Sequence, residues 1–301
     1  MLRTVTKPDR GGPRVHEWDP ARHGASAGRG AEGTGQEVAA TLERLDAELV
    51  GQSHAKRRLR EIAASLRLDQ PRHQFGMSAA RPRPHMAFAG PPGTGKSTVA
   101  RRATEILHHL GYVTTPRMHA ITVESLVGDI AEDGFARMAG AMAAAAGGVL
   151  YIDQVRSTDR PDSDRQAAID LLTRAVTTEG SPLVVIVAGS HEQVARLLAA
   201  DEGLSSTVAH RITFEDYTVE QLHAIARGML TAQRFGFDEG ADRAFAEFLT
   251  QQVTQPRFAN ARTVRDAVGR ARLRQARRLV QQDRSLTTSD LVTITESDVR
   301  G

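Results

Sequence analysis

Lys96, Ser97, Asp153 and Gln154 are the side chains whose types and neighbours point to chemistry. The first two lie in the run Gly90-Pro91-Pro92-Gly93-Thr94-Gly95-Lys96-Ser97-Thr98, which has the form G-x-x-x-x-G-K-S. Glycines at those intervals let a backbone curl until its N–H groups point at one phosphate chain. A helix that starts at the lysine adds the positive end of its dipole. Lys96 then reaches the outer phosphates, and the Ser97 hydroxyl ligates Mg²⁺. Such a site needs a carboxylate at the end of a neighbouring strand to hold the metal's water shell. Asp153 closes the apolar run Val149-Leu-Tyr-Ile152 and fills that position. ATP and Mg²⁺ are the expected cofactors, with Ser97 and Asp153 on the metal. A hydrolytic site of this type carries Glu directly after that Asp, to orient and activate the attacking water. Here the residue is Gln154. A carboxamide hydrogen-bonds water but is not a useful base at neutral pH. The combination predicts nucleotide binding with slow hydrolysis.

The elements that must position these groups are legible on either side of them. His85-Met-Ala-Phe-Ala89 reads as a buried strand before the loop, and Val99 to Leu110 has helical spacing after it. Further strands are expected at Met118–Val123, Val149–Ile152, Leu183–Ala188 and Arg211–Phe214, with helices at Phe135–Ala146, Arg165–Thr178 and His191–Ala200. The alternation implies a parallel sheet with helices on both faces. Upstream, Val38, Leu42, Leu45 and Leu49 share one helical face, and Leu59, Ile62, Ala63 and Leu66 share another. After Asp216 the strands stop. Thr218 caps a helix to about Gln233, and helices follow at Ala241–Val253 and Thr263–Gln281. The expected division is a disordered tail over 1–35, an α/β nucleotide-binding domain over 36–216 and a small all-α domain over 217–301.

Composition narrows the class. The chain has 301 residues, 25% charged and 40% hydrophobic, as in ordinary globular proteins. It has no cysteine, which excludes disulfides and thiolate metal sites. The first residues have no apolar core and do not read as a secretory signal. The longest mostly apolar stretch, Met138 to Ile152, holds three glycines and falls short of the roughly 18 residues that suggest a membrane span. A soluble cytoplasmic protein without a membrane partner is expected. The net charge of +3 says little about nucleic acid. Residues up to Gly35 are rich in Gly, Arg, Pro and Ala, and the only Trp, Trp18, lies among them. The arginines of the last long helix, at 262, 265, 270, 272, 274, 277 and 278, read as a solvated face. An acidic protein partner is a second reading, and the lack of interleaved aromatics disfavours nucleic acid.

With these residues in view, the chain resembles the AAA+ ATPases. Within them it is similar to the group of red-type Rubisco activase, stage V sporulation protein K and the ATPase of type VII secretion. The resemblance rests on Leu49-Val-Gly51, Gly90 to Thr98, Ile106-Leu-His-His-Leu-Gly-Tyr112, Leu126-Val-Gly128, Gly147-Gly-Val-Leu-Tyr-Ile-Asp153, Leu183 to Gly189 and Phe258-Ala-Asn-Ala-Arg262. It implies a P-loop α/β domain, a helical lid, and a hexameric ring that remodels a protein client. It also implies that Val50 and Gly51 lie against the adenine, that Arg262 is the lid arginine reaching the nucleotide, and that Ser190 stands at the polar position after the central strand. Two stretches depart from the family pattern. The segment after Gly128, Asp129-Ile130-Ala131-Glu132-Asp133, lacks the aromatic that grips a client. Gly203-Leu204-Ser205-Ser206-Thr207 lacks the arginines that reach a neighbouring subunit's nucleotide, with Arg211 nearby. The expected protein is a nucleotide-holding ring subunit with a structural or regulatory role, partnered by ring mates or a client. The alternative is an active remodelling ATPase.

Overall fold

The computed structural model describes residues 27–74, 84–122, 131–153, 170, 173, 176, 183–282 and 285–301. Trp18, the Leu126–Gly128 segment, Asp129, Ile130, Gln154 and most of the helix expected over 165–178 lie outside the described residues.

Two helices come first, α1 (Ala27–Glu48) and α2 (Ser53–Gln74). The expected apolar faces are the buried ones: Val38, Leu45 and Leu49 on α1, and Leu59, Ile62, Ala63 and Leu66 on α2. α1 begins nine residues before Gln36, inside the stretch expected to be a disordered tail. α1 packs against the helix that follows the Gly-rich loop, and extending an existing helix avoids the cost of a new nucleus, which offsets part of the penalty of the glycines at 28, 30, 33 and 35.

A five-stranded sheet follows, from β1 (Met86–Ala89), β2 (Met118–Thr122), β3 (Val149–Asp153), β4 (Val184–Gly189) and β5 (His210–Thr213). Its order is β2-β3-β4-β1-β5, and every pairing is parallel. All six residues of β4 are buried, whereas the edge strands β2 and β5 are half-exposed. A central parallel strand is covered on both faces and therefore reads as a continuous apolar run. The period-two alternation sorts side chains between two cores. Met86, Phe88, Val149, Tyr151, Val184 and Ile186 pack with α1, α2 and α3 (Lys96–His109). Ala87, Leu150, Ile152, Val185 and Val187 pack with α4 (Ala131–Ala144), α5 (His191–Ala199) and α6 (Glu202–Thr207).

The remainder is α7 (Val219–Thr231), α8 (Glu239–Gln252), α9 (Ala261–Val280), α10 (Thr288–Val292) and α11 (Glu296–Arg300), around a separate core that includes Leu222, Phe245, Leu249, Val264 and Ile294. Strands do not stop at Asp216. β6 (Gly236–Phe237) and β7 (Thr293–Ile294) form a parallel pair of two residues each, too short to leave any periodicity in the sequence. No described helix is long and apolar enough to cross a membrane.

The arginine-rich helix α9 is less of a free basic face than its composition suggests. Arg278 donates two hydrogen bonds to the Asp298 carboxylate, at 3.0 and 2.8 Å, and Arg274 reaches the carbonyls of Asp298 and Val299. Arg272 bonds Gln233 and lies 4.5 Å over the Phe235 ring. Asp298 is 1% exposed and also accepts from the Thr295 amide and hydroxyl. Burial alone would raise its pKa, yet Arg278 and Thr295 together hold the carboxyl below the usual carboxylate range. Its stabilising contribution is thus present above the unfolded carboxylate range and lost as pH falls through the depressed value. Asp298→Ala strands Arg278 and frees α11, and should cost about 2–3 kcal/mol in denaturant unfolding at pH 7. A loss under about 0.5 kcal/mol would show that the staple holds nothing.

Candidate functional site

The candidate site lies at the carboxyl ends of β1, β3 and β4, adjacent in the sheet order, where open α/β sheets bind ligands. β1 delivers the Gly90–Thr98 loop, β3 delivers Asp153, and β4 delivers Ser190. The Gly90 amide bonds the Gly189 carbonyl at 3.0 Å, tying the loop's root to β4. The second domain closes the other side. A cleft of about 630 Å³ results, lined among others by Val50, Gly93, Lys96, Ser97, Asp153 and Arg262.

Two glycines show why the loop has its composition. Gly93 has φ 74°, and a Cβ there would sit 2.0 Å from the Ala259 carbonyl oxygen. Gly95 has φ 96°, and its Cβ would meet Leu49 at 2.4 Å. Side chains at these positions would fill the space between the loop and its surroundings. Gly95 is also the N-cap of α3 and supplies no side-chain cap. Ser190, Asp201, Thr218 and Asp238 do cap α5, α6, α7 and α8. The start of α3 therefore has no capping side chain to compete with an anion for its N–H groups.

Lys96 is 8% exposed and folds back onto the carbonyls of Gly90 and Pro91 at 2.8 and 2.7 Å. Burial pushes its ammonium down to about 8; Asp153 works against that shift and Arg262 adds to it. Lys96, Asp153 and Arg262 all line the cleft. The Ser97 hydroxyl lies 3.4 Å from the phenol of Tyr151, whose pKa burial raises far above its usual value. A hydroxyl and a carboxylate, with room for phosphate oxygens and waters, are hard oxygen donors that suit Mg²⁺. Among the described residues no group of three or more His, Asp or Glu could hold a metal by itself.

Ser190 lines the cleft, but its Oγ accepts from the Gln193 amide at 3.2 Å, while Gln193 Oε1 accepts from the Ser190 amide. The hydroxyl proton can still be donated to a water. Val50 lines the cleft together with Leu49, Tyr217, Ile225 and Met229, and these make an apolar wall suited to a base. Gly51, Pro91 and Thr94 support the site without lining it. Gly51, with φ 60°, makes the turn between α1 and α2. Thr94 is fully buried and donates to the Pro91 carbonyl at 2.8 Å. Gly90, Pro92 and Thr98 line the cleft, and Gln154 lies beyond the described residues.

Sequence reasoning missed several contributors. Arg265 and Arg101 add two cations to the cleft. Arg265 was discoverable, because it lies three residues after Arg262 on one helical face. Ile225 and Met229, four apart on α7, were discoverable as a pair for the same reason. Gln52, with φ 50°, ties the α1–α2 turn to the approach to the second domain. Its amide donates to the Glu215 carbonyl at 2.7 Å and accepts from the Glu215 amide at 3.3 Å. A single Gln in a turn leaves no such signal in sequence.

Residues 86–214 match the model of the ATPase family associated with various cellular activities (AAA), and residues 218–301 match the AAA lid domain. The chain is 40% identical over 267 residues to the protein CfxQ homolog of Cyanidium caldarium, covering 87% of this chain and 93% of that one. It is 39% identical over 267 residues to the chloroplastic ribulose bisphosphate carboxylase/oxygenase activase of Cyanidioschyzon merolae, covering 87% and 91%. Among solved structures, the FIGL-1 AAA domain in complex with ADP matches with a TM-score of 0.56 at 18% identity, over 84% of this chain and 81% of that one, a likeness of fold alone.

Proposed function

Since this chain belongs to the AAA+ ATPases, in the group of the CfxQ-type proteins and red-type Rubisco activase, we propose that it holds Mg·ATP as a ring subunit and hydrolyses it weakly or not at all. One observation carries the binding half of this reading: Lys96, Ser97, Asp153 and Arg262 converge on one cleft, at a helix start that no side chain caps. Within it, the loop and α3 start orient the phosphates and Lys96 offers an ammonium to the outer ones. Ser97 and Asp153 face the metal position, and Arg262 brings a guanidinium from the second domain. Mg²⁺, when bound, neutralises phosphate charge. Leu49, Val50, Ile225 and Met229 exclude water from the base end.

The hydrolytic half rests on Gln154, which leaves the water without a carboxylate base. Arginine fingers are worth orders of magnitude in rate. Where the family carries them, α6 presents Gly203-Leu-Ser-Ser-Thr207, and Arg211 on β5 reaches Ser205 Oγ at 3.4 Å. A ring mate could supply a finger, but not a base beside Asp153. The role that follows is structural or regulatory: a subunit fixed in its nucleotide-bound form. Binding and turnover of Mg·ATP measured on one preparation test this. Tight binding with little phosphate release is expected, and turnover on the order of 1 s⁻¹ that disappears in Lys96→Ala overturns it.

The second reading, an active remodelling ATPase, is favoured by the 39% identity to a protein named an activase. It predicts ATP-dependent change in a protein client, and the Gln154 experiment below separates the two.

A further inference from the structure

The carbonyls of the Gly-rich loop are each held by a donor. Gly90 O and Pro91 O accept from Lys96 Nζ, and Pro91 O also accepts from Thr94 Oγ1. The next three are held by the second domain and its junction. Pro92 O accepts from Asn260 Nδ2 at 3.1 Å, Gly93 O from the Ala261 amide at 3.2 Å, and Thr94 O from the Tyr217 phenol at 3.1 Å. In a planar trans peptide the C=O and the following N–H point in opposite directions. Fixing the carbonyls of residues 92, 93 and 94 therefore fixes the N–H directions of Gly93, Thr94 and Gly95, the groups a phosphate chain would meet.

Asn260 is the centre of this arrangement. It is fully buried, and its backbone lies at φ 52°, in a region that favours glycine. It stands at the N-cap position of α9 but makes no side-chain cap, because its amide is engaged elsewhere. Oδ1 accepts from the Tyr217 amide at 2.9 Å, and Nδ2 donates to Asp216 Oδ1 at 2.7 Å as well as to Pro92 O. A residue that only closed the junction would need the Asp216 and Tyr217 bonds alone. The bond to Pro92 serves the loop. Strain of this kind persists where surrounding structure over-determines it, commonly at ligand clamps.

We propose that Asn260 is a positioning residue through which the second domain holds the phosphate loop in its binding conformation, with Tyr217 as its accessory. Lys96 has to leave Gly90 O and Pro91 O when it turns to a phosphate; the three bonds from the second domain do not, and they keep the loop in shape during that exchange. The same contacts make loop order and the placement of Arg262, two residues further along α9, a single event. This rests on reading Gly90–Thr98 as a phosphate cradle.

The test compares a ligand with phosphates and one without. Mg·ADP affinity is measured by calorimetry and adenosine affinity by saturation-transfer NMR, for wild type, Asn260→Gly and Tyr217→Phe. Asn260→Gly relieves the positive φ while deleting the side-chain bonds; Tyr217→Phe keeps the ring against the cleft and deletes one donor. The expected result is a loss of Mg·ADP affinity of about tenfold for Asn260→Gly and about threefold for Tyr217→Phe. Adenosine affinity should stay within about twofold. Equal losses for both ligands would assign the residues a general packing role and overturn the proposal, as would unchanged Mg·ADP affinity. A wild type that binds neither ligand overturns the cradle reading and the proposal with it. Should Asn260→Gly not fold, Tyr217→Phe carries the same comparison.

Discussion

Replacing Gln154 with Glu should raise the rate of ATP hydrolysis about 100-fold while changing Mg·ATP affinity less than about threefold. The substitution returns a carboxylate to the position after Asp153 and leaves the loop, Ser97 and Asp153 untouched. General-base assistance contributes typically ~10²–10⁴ in rate, and the low end applies here because the α6 segment still carries no arginine to stabilise the transferring phosphoryl group. Steady-state phosphate release at saturating Mg·ATP, with affinity measured separately, reads both numbers. A gain of this size identifies Gln154 as the block and disfavours the active-remodeller reading. An already brisk wild-type rate that the carboxylate does not change would mean that the water is activated elsewhere, and the weak-hydrolysis reading would fall.

The sequence was most legible where one physical constraint acts alone. The Gly-rich loop could be read because few residue types satisfy φ 74° at Gly93 and φ 96° at Gly95 while the backbone approaches a neighbour so closely. β4 could be read because a strand covered on both faces must be apolar throughout. The faces of α1 and α2 followed from burial on one side. Legibility failed where structure is set by long-range contact. The β6–β7 pair holds two residues per strand, and only its place between α7, α8 and α9 lets it form. The extent of α1 was understated because glycines in Ala27–Gly35 argue against a helix locally, whereas the packed segment beyond them propagates one.

The site divides along the same line. Lys96, Ser97, Asp153, Val50, Ser190 and Arg262 were named from motif spacing or family resemblance, and all line one cleft. Arg101 lines it too, but nothing local marks it apart from other arginines on helices, while Arg265, Ile225 and Met229 are marked only by their three- and four-residue spacing on α9 and α7. α9 is the instructive case. Seven arginines on it suggest one solvated or partner-binding face, yet they divide by geometry. Arg262 and Arg265 face the cleft, while Arg272, Arg274 and Arg278 bind the domain to itself. Charge counting cannot make that division, because it depends on where Asp298, Gln233 and Phe235 arrive from elsewhere in the chain.

Lys96→Met should reduce Mg·ATP affinity by about 10²–10³-fold without lowering the thermal midpoint of the ligand-free protein. Methionine keeps an apolar stem of similar length and deletes only the ammonium. Burial holds that ammonium down to about 8, so its charge opposes folding at neutral pH. The linkage sign follows: the unfolded chain holds the Lys96 proton more tightly than the folded one, so stability rises as pH climbs from about 8 toward the free lysine value. Nucleotide reverses the preference, since phosphate favours the charged form. Wild-type affinity should therefore be constant between about pH 7 and 8 and fall by up to about tenfold per pH unit above that, with proton uptake on binding. The terminal phosphate titrates near pH 6 and does not enter that window. In Lys96→Met the slope between pH 8 and 9.5 should vanish along with most of the affinity. A variant that keeps the slope would place the titrating group elsewhere in the cleft. One that loses stability in the absence of nucleotide would show that the bonds from Lys96 to Gly90 and Pro91 outweigh the cost of burying its charge.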